Sequence, residues 1–216
     1  MKVLARQRVL LTTIIMMAPL ASAGAELAVR VTAGGEPVAN AVVLLRQPGL
    51  AADAGSTAVM DQKNYRFEPF VLPVAAGAPV SFPNSDNVRH HVYSFSPTKR
   101  FELRLYSGTP SEPVVFDRTG IVTLGCNIHD WMLGFIYVTD APRFGVTDAG
   151  GSVRFTDIRA AAASIVVWHP RMGTAKEANW NPSDGGALEL PVELGPPVRH
   201  DPPEETHISS FSRRKR

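Results

Sequence analysis

The stretch Cys126-Asn127-Ile128-His129-Asp130-Trp131-Met132 carries the one cysteine of 216 residues, then a histidine three places on and a methionine three places after that. Apolar runs, Ile121 to Leu124 and Leu133 to Val138, lie on either side, so the stretch reads as a tight loop between two strands. A thiolate, an imidazole and a thioether on one such loop make part of a soft, mixed-donor metal site. One short loop cannot surround an ion, so a further imidazole has to arrive from another strand, and His90-His91 upstream supplies it. Each side chain alone has a plainer reading: an inert buried thiol, a surface loop histidine, a methionine filling a core beside Trp131 and Leu133. The C-x-x-H-x-x-M spacing, set before a strand and downstream of a histidine pair, points to a metal. Zinc would favour closed tetrahedral ligation without a thioether.

Together with Asn84-Ser85-Asp86-Asn87-Val88-Arg89-His90-His91-Val92, this stretch resembles the ligand motifs of the cupredoxins, the family of plastocyanin, pseudoazurin and amicyanin. The short loop is closest in length to amicyanin's, and the resemblance spans residues 58–139. It implies a Greek-key β-sandwich holding one type 1 copper through His90, Cys126 and His129, with Met132 as a weak axial donor. In the family the first histidine ligand follows an Asn-x-Asp-like turn, which favours His90; His91 stays as the alternative ligand, or as a neighbour bonded toward the cysteine loop. Strand alternation gives the two rings opposite faces, so only one binds. Asn127 and the backbone after Asn84 are the candidates to hydrogen-bond around the site.

The resemblance also implies a function: a carrier of single electrons between transient protein partners, a dehydrogenase or a cytochrome. The alternative is a module that stores or delivers copper. An enzyme is not expected. A nucleophilic cysteine needs a base and an orienting third group, and Asp130 points elsewhere on so tight a loop. No glycine-rich phosphate loop stands out either. Plastocyanin-like proteins carry an aromatic beside the cysteine, where this chain has Gly125 after Leu124. The electron route left is the edge of His129, framed by Trp131, Leu133 and Ile128. The chain also resembles a periplasmic group labelled as methylamine-utilization proteins, although nothing in its sequence reads methylamine.

The remaining segments alternate apolar and polar residues with period two and lack a sustained helical period, so the chain reads as all-β. Phe101, Leu103 and Leu105 are expected on one strand face, with Glu102, Arg104 and Tyr106 on the other. Residues 24–50, containing Gly35-Glu-Pro-Val-Ala-Asn-Ala41 and Val42-Val-Leu-Leu45, resemble the first half of a transthyretin-like, carboxypeptidase-regulatory-like β-sandwich. Residues 141–195, with Val146 to Phe155 and Ile165 to Pro170, resemble its second half. A smaller sandwich interrupted by a cupredoxin is therefore expected; the alternative is that residues 27–47 and 144–195 decorate one cupredoxin with extra strands. Residues 196–216 are rich in Pro, Glu, Ser and Arg and read as a polar, disordered tail.

Residues 1–23 read as a secretory signal: Lys2, Arg6 and Arg8, the apolar run Val9 to Leu20, then Ala21-Ser22-Ala23. That run is too short to span a bilayer, which takes about 20 residues, and no membrane span is expected. The periplasm is the expected compartment. Without the signal, the formal charge of +2 falls to −1, and Arg213-Arg214-Lys215-Arg216 concentrates positive charge at the end. The body is then acidic, which argues against nucleic acid as a partner.

Overall fold

The computed structural model describes residues 24–203 apart from 56, 111 and 159–161; the expected signal and the basic end lie outside the described residues. The protein is all-β, and the described residues hold one 3-10 turn, Pro182–Asp184, and no α-helix.

Strands from the two ends of the chain pair with each other across the long stretch between them. Ala25–Ala33 lies between Ser152–Ile158, antiparallel, and Ala187–Pro191, parallel. Val42–Arg46 lies between Arg143–Val146 and Ala163–Trp168, with Lys176–Trp180 at the edge. Leu27, Val29 and Val31 alternate with Ala28 and Arg30 and turn into an outer core with Val43, Leu45, Ile165, Val167 and Trp180. The unbroken run Val42-Val43-Leu44-Leu45 is buried throughout because its strand is covered on both faces. Val43 and Leu45 face the outer core. Val42 and Leu44 face a seam with Val71, Phe135, Val166 and Trp168.

Across that seam lies a sheet in the order Phe101–Tyr106, His90–Ser94, Gly120–Gly125, Leu133–Thr139, Val71–Ala75. Pro73 sits in its edge strand, where a missing N–H is tolerated. The opposite face of this sheet contributes Val92, Val122, Leu124, Ile136 and Val138 to a second core, closed by Phe82, Phe116, Val80 and Met60. Cys126 and Met132 belong to this second core.

Two expectations need correction. A register shift between Leu103 and Tyr106 breaks the alternation of that strand, so Leu105 turns outward at 48% exposure while Tyr106 packs against the core. Residues 196–203, expected as the start of a solvated tail, lie against the body instead. Val198 joins the seam, His200 stacks on Phe70 at 3.9 Å between ring centres, and Asp201 pairs with Arg66 at 2.8 Å.

Candidate metal centre

His90 opens the strand His90–Ser94 opposite Tyr106, and its ring is fully buried. His91, one residue on, turns its ring to the other face, as strand geometry requires, and its Nε2 lies 2.9 Å from Glu102 Oε1. His91 therefore bonds to the adjacent strand and not to the cysteine loop. Cys126 leaves Gly125 at the end of Gly120–Gly125 with 4% exposure. The loop then closes through the Met132 N–H donating to His129 O at 2.9 Å, which swings His129 back beside the cysteine.

His90, Cys126 and His129 form the one cluster of potential metal donors found among the described residues. The two Nδ1 atoms are 3.2 Å apart, and Cys126 Sγ lies 3.9 Å from His90 Nδ1 and 3.7 Å from His129 Nδ1. An ion bonded in one plane at about 2.0 Å to nitrogen and about 2.3 Å to sulfur holds its donors about 3.5 Å (N to N) and about 3.7 Å (N to S) apart. The observed triangle fits that span. Met132 is fully buried in the core that contains Cys126, where a thioether is available and water is excluded. This set of donors, two imidazole nitrogens, one sulfur and a buried thioether, suits copper better than a hard cation.

Two residues that sequence reasoning passed over organise the triangle. Asp86 Oδ2 lies 2.8 Å from His90 Nε2. A carboxylate there keeps the ring proton on Nε2 and leaves the Nδ1 lone pair facing Cys126 and His129. Burial acts to raise the Asp86 carboxyl, but the Tyr65 N–H, the His90 ring and the Asn64 N–H outweigh it and hold it below the usual carboxylate value. Burial, then the neighbouring His90, lowers His129 below the ordinary histidine value, against the opposing pull of Asp86. The lowering at His129 keeps that ring neutral and able to ligate.

Tyr65 is the second residue. It sits in the two-residue turn between Asp61–Lys63 and Arg66–Glu68. Its ring meets His129 edge-on at 5.1 Å and His90 at 5.8 Å between centres. Trp131 lies 5.2 Å from His129, and its Nε1–H donates to Tyr65 O at 3.2 Å. His129 is thus framed by Tyr65 and Trp131. Of the other expected frame residues, Leu133 lines a groove with Tyr93 and Phe95, and Ile128 lines one with His91, Glu102 and Leu105. The only sequence signal at Tyr65 was a polar turn containing Asn64; at Asp86 it was the Asn-x-Asp turn ahead of His90, which gave the carboxylate no partner.

Asn84 shapes the turn before His90. Its Nδ2 donates to Val88 O and Tyr106 O, both at 2.9 Å, and its Oδ1 accepts from Asp86 N at 3.0 Å. Asn127 is exposed beside the His91–Glu102 pair. Behind the site, the Tyr106 hydroxyl donates to Phe82 O at 2.7 Å and accepts from Gln62 Nε2, and burial raises its phenol to about 12. Gly125 accommodates Tyr93: a Cβ on Gly125 would stand 2.8 Å from the Tyr93 ring and hydroxyl. An aromatic beside the cysteine is therefore present, contributed by the neighbouring strand.

No protein-family model and no curated protein matches the sequence. Similar solved structures include a Cu-containing nitrite reductase from Thermus scotoductus SA-01, at 22% identity and TM-score 0.37, over 43% of this chain and 24% of that one. The chain thus spans about a quarter of that protein's length. A purple cupredoxin from Nitrosopumilus maritimus matches at 22% identity and TM-score 0.33, over 39% of this chain and 99% of that one. An oxidized mutant of amicyanin matches at 17% identity and TM-score 0.35, over 44% and 98%.

Proposed function

We propose that this chain is a copper protein of the cupredoxin type that carries single electrons between transient protein partners, a dehydrogenase or a cytochrome, and is not itself an enzyme. The observation supporting this most is the triangle of His90 Nδ1, His129 Nδ1 and Cys126 Sγ at 3.2–3.9 Å. Bound there, copper supplies a one-electron couple. The chain holds the donors in place for both oxidation states. Asp86 fixes the His90 ring, the His129 carbonyl accepts the bond that closes the loop, and Met132 offers a thioether from inside the core. A frame that does not have to rearrange suits rapid exchange. The edge of His129 between Tyr65 and Trp131 is the route by which a docked partner is reached. The reading of residues 1–23 as a signal puts the protein in the periplasm, and no helix among the described residues is long and apolar enough to cross a membrane.

One observation favours a second reading. Asp86, His90 and Cys126 lie in the order of an orienting carboxylate, a base and a nucleophile. The full burial of His90 and the 4% exposure of Cys126 leave no space for a substrate carbonyl, so the metal reading is preferred. The deciding test is a visible spectrum of purified protein with Cu(II), before and after ascorbate. An intense thiolate-to-copper band that bleaches and returns on reoxidation is expected. Its absence, or hydrolytic turnover that needs Cys126, overturns the proposal. Transfer of copper to an apo-acceptor with slow electron self-exchange favours storage or delivery.

A further inference from the structure

We infer that Tyr65 is a shield that closes the donor triangle to small external ligands. The Asn64–Tyr65 turn joins strands paired Lys63 to Arg66, and both residues adopt positive φ, 54° and 59°. Hairpins of this kind favour Asn-Gly, because the second position also lies in the left-handed region. A tyrosine there is strained, and residues held in such conformations persist only where their surroundings fix them. The fixing contacts are visible. Asp86 Oδ1 accepts the Asn64 N–H at 2.7 Å and Asp86 Oδ2 the Tyr65 N–H at 2.9 Å, while Trp131 holds the Tyr65 carbonyl. The same Oδ2 bonds His90 Nε2. One carboxylate thus sets both a donor ring and the aromatic ring standing edge-on to it.

The strained position aims the phenol ring over His90 and His129, which are two corners of the triangle. With Trp131 packed 5.2 Å from His129 and bonded to the Tyr65 carbonyl, little room is left for a water or an anion to approach an ion from this direction. A site closed in this way exchanges electrons without binding substrate; an open one binds ligands.

The inference rests on the copper reading in one arm of its test only. Tyr65→Gly removes the ring and relaxes the turn, so folding is preserved; Tyr65→Phe keeps the ring. In the first arm, azide is titrated into the Cu(II) proteins. The parent and Tyr65→Phe are expected to keep their spectra, while Tyr65→Gly changes colour and binds azide at least about tenfold more tightly. In the second arm, metal-free proteins are treated with a small neutral alkylating reagent, and Cys126 of Tyr65→Gly is expected to react at least about tenfold faster than the parent's. Equal azide binding or equal thiol reactivity in all three proteins overturns the shield. If no thiolate-to-copper band forms, the copper reading fails and thiol reactivity alone decides on the shield.

Discussion

The outer core around Trp180 and the second core around Cys126 are built by the same physics and end differently. Both are packed from alternating strand residues such as Leu27, Val29 and Val31 in one and Val122, Leu124 and Ile136 in the other. The buried residues of the outer core are hydrocarbon and aromatic side chains, with Met172 packed at its margin. The second one admits three sulfur side chains, Met60, Cys126 and Met132, and fully buries His90 close to Cys126. A buried imidazole needs partners, and His90 has them in Asp86 and His129. The candidate metal centre is a local departure within an ordinary β-core, so the fold and the chemistry can be disturbed separately.

The sharpest way to break that separation is Cys126→Ser. Complete loss of the visible band is expected, while the denaturant midpoint of the metal-free protein moves little. Retention of the band would rule out the thiolate. The converse variant is Trp180→Ala in the outer core, where the side chain is 1% exposed and its Nε1–H bonds to Gly185 O at 2.9 Å. A loss of about 3–5 kcal/mol of unfolding free energy is expected, with the copper spectrum of the folded fraction unchanged. Copper itself should stabilise the native state by about 2.7 kcal/mol at a free concentration of 100 times its dissociation constant. Chelation should reverse that gain, and the Cys126→Ser protein should show much less of it.

Met132→Leu tests the boundary between packing and chemistry. A volume-conserving change costs less than about 1.5 kcal/mol, so the protein keeps its fold and its copper, and voltammetry should show a raised potential. A pH-dependent effect belongs to the outer half. Burial, then Arg171, pushes His169 down to about 4. Between that value and the unfolded value of about 6.5, the unfolded chain takes up a proton that the folded chain refuses. Stability therefore falls as pH drops through this window and is unaffected above it. Denaturant midpoints at neutral and mildly acidic pH should show the decline, and His169→Asn should flatten it without altering the spectrum.

The loop from Cys126 to Met132 was legible because its donors are spaced within a few residues of one another, and the chain has no other cysteine. The all-β class was legible from alternation. The choice between His90 and His91 was half legible: alternation says that the rings diverge, but which face holds the cysteine depends on how His90–Ser94 pairs with its neighbours. Tyr65 and Asp86 were not legible because their roles depend on contacts between segments far apart in the chain. Leu105 and Tyr106 exchanged faces because a register shift is a property of two strands together, and one strand's pattern does not reveal it.

The pairing of Ala25–Ala33 with Ser152–Ile158 and Ala187–Pro191 bears on how the molecule comes into being. In the growing chain, residues 58–139 have all their own sheet partners before the first strand meets any of its long-range ones. Bringing those ends together closes a long loop, which is entropically slow. The donor triangle should therefore assemble early, while the strand Val42–Arg46 still awaits its sheet partners Arg143–Val146 and Ala163–Trp168. Copper supplied at that stage would meet a formed site on a half-built protein, and the last event of maturation would be the closing of the outer sheets around the first strand.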